Sequence, residues 1–187
     1  MYCLGEGVAQ DPTQAVKWYS RAADQGNANA QFELGHAYCD GRGVVKDVTE
    51  GLRWFSRSAE QGHIGALSIL GAKYLDADSI SRNPTRGAEC FRIAANRGDA
   101  LAQCTLALLY EAGEGVPHDV AEAAGWCRKA ADQGLAEAQF QLGRFYDKGI
   151  GVSPDLREAA GWFRRAAEQG HEKAIAILRI IESGYEG

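Results

Sequence analysis

Four glycine pairs are the first residues whose types and spacing suggest chemistry: Gly5-x-Gly7, Gly41-x-Gly43, Gly113-x-Gly115 and Gly149-x-Gly151. Such a loop cradles phosphate when it follows a strand and carries a third glycine and a lysine. Here the pairs follow helical patterns, lack both additions and recur at one fixed step, so nucleotide binding is not expected. His36 and Cys39, three apart on a helix, offer two metal ligands. A zinc site needs two more, and the same positions one step on are Ala72 and Leu75, so no metal is expected. His171-Glu172 fails as a zinc-hydrolase motif because position 175 is Ile. None of Ser20, Ser56, Ser58, Ser68, Ser81 and Ser153 is followed by lysine at the spacing that a penicillin-recognising nucleophile needs. The chain is therefore expected to have no catalytic residue and no cofactor, and not to be an enzyme.

Five cysteines, Cys3, Cys39, Cys90, Cys104 and Cys127, form no CxxC pair and read as free thiols in a reducing compartment. The net charge of −5 argues against a sequence-independent nucleic-acid binder. Arg21, Arg57, Lys129 and Arg165 each stand three residues before an acid, Asp24, Glu60, Asp132 and Glu168, and read as surface pairs. With Arg92, Arg128 and Arg164 they would form a basic ridge, a weaker reading. No apolar run reaches the length of a membrane span, and the first residues, MYCLGEGVAQDP, lack the pattern of a secretory signal. As written the chain is expected to be cytoplasmic, or periplasmic or secreted if an N-terminal segment is missing.

The elements that position these residues repeat. From Tyr38, steps of 36 give Tyr74, Tyr110 and Tyr146, with Tyr2 upstream; Leu34 leads to Leu70, Leu106, Leu142 and Leu178. Such a period means stacked units, none able to bury its apolar face alone. The expected organisation is a single solenoid over 1–187: a partial unit 1–26, full units 27–62, 63–98, 99–134 and 135–170, and a closing helix 171–187. In the first full unit, Ala30, Leu34, Ala37 and Tyr38 share one side of a helix A, about residues 28–39, which stops at Gly41-x-Gly43. Asp47, with Glu50 three residues on, caps a helix B over about 48–61. Asp11, Asn83, Asp119 and Asp155 repeat that cap.

Helix B is expected to bury Gly51, Trp54, Phe55, Ser58 and Ala59, matched by Ala15, Trp18, Tyr19, Ala22 and Ala23 in the copy before. The later copies give Ala123, Trp126, Cys127, Ala130 and Ala131, then Ala159, Trp162, Phe163, Ala166 and Ala167. Small residues let helices approach, and the aromatic fills the wedge between repeats. One copy departs: Ala77 and Ser79 replace the turn glycines and Cys90 the tryptophan. A looser turn and thinner packing are expected there. The closing helix is apolar nearly all round, through Ile175, Ile177, Leu178, Ile180 and Ile181, which suggests head-to-tail self-association through 172–183.

The recurring Ala30, Leu34-Gly35, Tyr38, Gly41-x-Gly43-Val44, Asp47, Gly51, Trp54, Ser58-Ala59 and Gly62 resemble the SEL-1-like repeat, related to the tetratricopeptide repeat, over essentially the whole chain. The resemblance implies an all-α fold, a right-handed α–α superhelix of helix-turn-helix repeats with A helices on the concave side. It also implies an adaptor scaffold that binds a protein or peptide there. Carried over from the related repeats, the partner-binding positions are Asn29, Phe32, His36, Asp40, Ser68, Leu75, Asp76, Leu101, Leu108, Glu111, Phe140, Arg144, Asp147 and Lys148, with Cys39, Cys104 and Glu137 contributing to the same face. The competing reading packs the leucines against neighbouring A helices. Two other functions compete: a β-lactam-binding or hydrolysing relative, disfavoured because paired cysteines are absent from each unit, and a spacer in a longer protein.

Overall fold

The computed structural model describes residues 11–77 and 82–184. They form α-helices joined by turns, with no strand among them. In chain order these are α1 (Pro12–Asp24), α2 (Ala28–Asp40), α3 (Val48–Glu60), α4 (Ile64–Leu75), α5 (Pro84–Asn96), α6 (Ala100–Ala112), α7 (Val120–Asp132), α8 (Ala136–Lys148), α9 (Leu156–Glu168) and α10 (Glu172–Gly184). Odd-numbered helices are the B helices of the repeat and even-numbered ones the A helices. The chain divides at Arg82/Asn83 into two compact units. The division falls in the copy that departs from the pattern. Of its turn, residues 78–81, including Ser79, lie outside the described residues, while α4 and α5 on either side are regular helices.

Caps set the boundaries. The carboxylates of Asp11, Asp47, Asp119 and Asp155 and the amide of Asn83 accept from backbone N–H groups two or three residues on, as the spacing predicts. The A helices start with a different set: Asn27, His63 through Nδ1, and Asp99. Gly41, Gly113 and Gly149 end α2, α6 and α8 in the left-handed conformation, whereas α4 ends at Asp76 with φ −58°. The second glycine of each pair has another duty. A Cβ on Gly43 would stand 2.3 Å from the carbonyl oxygen of Pro12, on Gly115 2.1 Å from that of Pro84, and on Gly151 1.8 Å from that of Val120. The pairs are thus the points where one repeat's turn presses on the first residue of the preceding B helix.

In the first unit, Val16, Ala23, Ala30, Leu34 and Ala37 pack around Trp54, which is 9% exposed. Trp18, expected to be buried like its counterparts, is 54% exposed. Trp54, one period on, packs with Val16 and Ala23 of α1. In the second unit one cluster joins Cys104, Ala107, Ala123, Cys127, Ala130, Leu142, Phe145 and Trp162, and another joins Phe140, Phe163, Ala166 and Ala174. Within a repeat, A and B helices touch through a glycine on a phenyl ring: a Cβ on Gly35 would lie 2.7 Å from Phe55, and one on Gly143 2.6 Å from Phe163.

A buried polar tie accompanies this packing. Gln31 Nε2 donates to the Ala23 carbonyl on α1, and Gln31 Oε1 accepts from Gln61 Nε2 at the end of α3. Gln103 does the same with Ala95 and Gln133, and Gln139 with Ala131 and Gln169. Each glutamine binds its own repeat to the B helix before it, and its burial is tolerable because its amide is satisfied at both ends.

Candidate interaction face

The predicted positions fall on α2 and α4 in the first unit. Asn29 and Asp40 are exposed, and Asp40 pairs with Arg42 at 3.0 Å. Phe32 and His36 are half-buried in a ring cluster with their surroundings. Phe32 stacks on His63 with centroids 4.3 Å apart and meets His36 edge-on at 4.7 Å, and His36 meets Phe55 at 5.0 Å. Gly65 makes room for this, since a Cβ there would stand 2.9 Å from Phe32. Burial lowers the His63 pKa, against an opposing push from the Glu33 carboxylate. A neutral ring suits the cap, because Nδ1 must keep its lone pair to accept from the Ala66 N–H. On α4, Ser68 and Leu75 are half-buried, and Asp76 lies 3.6 Å from Lys73.

In the second unit, α6 turns its core side to Ala102, Leu106, Ala107 and Leu109, all buried, and carries Leu101, Thr105 and Leu108 on the opposite stripe. Leu101 is 59% exposed and Leu108 half-buried. The matching stripe of α8 is Glu137, Gln141, Arg144 and Lys148, the first three of which are joined in one hydrogen-bonded chain. The guanidinium of Arg144 donates to Glu111 at 3.0 Å and to Gln141, and Gln141 Nε2 donates to Glu137 at 2.6 Å. His171 Nε2 lies 3.0 Å from the other Glu137 oxygen. The Nδ1 of His171 accepts from the Ala174 N–H, so its Nε2 carries the proton and donates to Glu137. Burial raises the Glu137 pKa, but the bonds from His171 and Gln141 outweigh it and hold the carboxyl below its usual range. Asp147 and Lys148 are exposed.

Two expected contributors lie beneath this face. Phe140 is 6% exposed, stacked on His171 at 4.5 Å and packed on Phe163 at 5.8 Å, and so belongs to the core. Cys104 is buried as well, and burial pushes its thiol up to about 11. Cys127, in the register of Phe55, is raised further still by burial first and by Cys104 next. Neither is a thiolate nucleophile. The glutamine ties, the histidine caps and the α8 chain escaped the sequence reading. For the ties the signal was there, in the recurrence of Ala-Gln at 30–31, 102–103 and 138–139 and of Gln-Gly at 61–62, 133–134 and 169–170.

No helix among the described residues is long and apolar enough to cross a membrane. The family model described as the Sel1 repeat matches residues 1–27, 28–63, 66–99, 100–135 and 136–171. No curated protein matches the chain significantly. Among solved structures, a protective antigen present in uropathogenic Escherichia coli strains and displaying an SLR fold is similar at 36% identity and a TM-score of 0.88. The match covers 93% of this chain and 37% of that one, so this chain spans little more than a third of the antigen's length. A Sel1 repeat protein from Oxalobacter formigenes is 37% identical with a TM-score of 0.81, over 93% of this chain and 71% of that chain. Cysteine rich protein B of Helicobacter pylori shares the fold at 21% identity and a TM-score of 0.56, over 71% and 95% of the two chains. An all-helical solenoid assembled from such units, with those matches along its length, belongs to the Sel1 repeat family, whose members are in general scaffolds for protein–protein interaction and typically non-catalytic.

Proposed function

We propose that this chain binds a protein or peptide segment along its A-helix faces and acts by binding alone. The observation that carries the reading is the α6 stripe. A helix that already buries Ala102, Leu106, Ala107 and Leu109 has no need of Leu101 and Leu108 on its other side, and Leu101 is 59% exposed. Beside these leucines, the Glu111–Arg144–Gln141–Glu137 chain is held in one geometry before any partner arrives. A fixed polar track next to an apolar strip supplies anchors and register with little ordering cost on the protein's side. Peptides selected from a display library should bind the parent, and those enriched should lose at least tenfold in affinity to the Leu101→Asp/Leu108→Asp variant. Undiminished binding by that variant, with unchanged circular dichroism, overturns the assignment.

A second reading concerns α10. It packs Ala174, Ile177 and Leu178 toward Phe163 and Ala166, while Ile180 is 71% exposed. This supports self-association through 172–183. A mass that rises with concentration in light scattering is expected on that reading, and a constant mass of 20.2 kDa overturns it. We also place the chain in a reducing, cytoplasmic setting, a proposal supported by the free thiols of Cys39, Cys90, Cys104 and Cys127.

A further inference from the structure

Two B helices neutralise their surface charges internally. Arg92 of α5 pairs with Glu89, three residues before it, and Arg53 of α3 pairs with Glu50 at 3.2 Å, again three apart. The register of Arg92 is held in α7 by Arg128, and that of Glu50 in α9 by Glu158. Their intrahelical counter-ions are gone: Gly125 stands in the place of Glu89 and Gly161 in that of Arg53. Packing asks for neither glycine, since a Cβ on each would meet nothing within 4 Å, and glycine inside a helix costs about 1 kcal/mol. Among the described residues, Arg128 and Glu158 take part in no ion pair.

Both charges line one cleft of about 560 Å³, whose walls come from α7, α8 and the turn leading into α9. Every lining residue belongs to the second unit and is exposed or half-buried. The Arg128 guanidinium is held in place, donating to the Tyr146 hydroxyl and lying 5.4 Å from the ring centroids of both Tyr146 and Trp162. Glu158 stands in the first turn of α9, capped by Asp155, whose Oδ1 accepts from the N–H groups of Arg157 and Glu158. Val152 and Pro154 add apolar surface to the wall, and Ser153 a hydroxyl.

We propose that this cleft binds a small zwitterion, a free α-amino acid, with its carboxylate on Arg128 and its ammonium on Glu158. A guanidinium already fixed by a hydroxyl and two rings offers its remaining N–H groups to a carboxylate at little ordering cost. An anion alone would be repelled by Glu158 and Asp155, and a cation alone by Arg128. A molecule that carries both charges completes both pairs. Val152 and Pro154 give an aliphatic side chain its contact surface. The cleft is separate from the A-helix face, because Tyr146 stands two residues, about 200° of helix, from Arg144.

The test is an NMR titration of the full chain with L-leucine and two analogues: N-acetyl-L-leucine, which keeps the carboxylate charge alone, and L-leucinamide, which keeps the ammonium alone. L-Leucine should give saturable shifts confined to the ring of Tyr146, the methyl groups of Val152 and the side-chain N–H groups of Arg128. Each analogue should bind at least fivefold more weakly. Glu158→Gln, at an exposed position, should erase the preference for L-leucine over N-acetyl-L-leucine, and Arg128→Gln the preference over L-leucinamide. Gly125→Glu with Gly161→Arg rebuilds both intrahelical pairs in open space and should weaken L-leucine binding at least fivefold. Arg92→Gln, one period away, should leave the affinity within twofold. Absence of saturable shifts, equal affinity for the three compounds, or preferences that persist in Glu158→Gln and Arg128→Gln each overturn the proposal.

Discussion

Gly151 and Gly134 both hold a left-handed backbone, with φ of +66° and +90°, but only Gly151 has a neighbour in the way. Alanine at Gly134 meets nothing within 4 Å and pays for backbone strain alone, about 1–3 kcal/mol. Alanine at Gly151 pays the same strain and must also displace the Val120 carbonyl, 1.8 Å from the new Cβ. Urea denaturation should therefore rank Gly151→Ala below Gly134→Ala, and equal midpoints would mean that the turn does not press on α7. His63 gives a second residue-scale prediction. Burial lowers its folded pKa below the ordinary value of 6.5, so the unfolded state binds the proton more readily. Its contribution to stability is present above that value and is lost as pH falls through the lower folded pKa. The fall in melting temperature on acidification from pH 7 should be shallower in His63→Asn, which keeps a capping side chain of the kind Asn27 already provides. Parallel curves for the two proteins would contradict this. At this scale the sequence is unevenly legible. Asp47 and its in-phase acids announced themselves because a cap is a local event, three residues long. The Gln31 tie joins residues 8 and 30 positions away and is recognisable only once three helices are placed.

The elements show why two departures from the pattern go together. Ala107 in place of the A-helix glycine and Cys127 in place of the B-helix phenylalanine look like separate drifts in the sequence. In the fold they occupy the register of Gly35 and Phe55, where a Cβ and a phenyl ring cannot coexist without a shift. The repeat that gained a methyl group on α6 has a smaller partner on α7, and both residues are buried. Cys127→Phe alone should destabilise by about 1–3 kcal/mol through overpacking. Adding Ala107→Gly should recover part of that loss, whereas Ala107→Gly by itself should not stabilise. A double-mutant cycle in urea with no coupling energy would show that the two positions do not share space. The same scale explains why Phe140 does not reach the predicted face. A tetratricopeptide-like position table put Phe140 among ligand contacts, but its side chain turns toward Phe163 and His171 in the core. The exposed Leu101 was legible because its stripe needs no partner within its own helix pair.

For the molecule as a whole, stability is a chain of neighbour contacts within each unit rather than one central core. In the second unit, α8 packs on both α7 and α9, whereas α10 packs on α9. Amide exchange should therefore be slowest in α7 and α8 and fastest in α10, with α9 between them. One uniform rate over α5 to α10 would instead indicate a single cooperative block. The helical alternation, the period and the capping residues were legible from sequence because they recur. The exposure of Trp18 was not, because it stands in register with Trp54 and Trp162, both buried.

The fixed reach of the recurring contacts has a consequence for how such a chain changes length. Gly151 leans on a carbonyl 31 positions back and Gln139 on one 8 positions back, and the preceding repeat does likewise with Gly115 and Gln103. Excising residues 100–135 would bring Gly151 opposite Pro84 and Gln139 opposite Ala95, two carbonyls that already receive a glycine and a glutamine in the intact protein. A gene can thus gain or lose a whole period without inventing a new junction, while a deletion of any other size must break one.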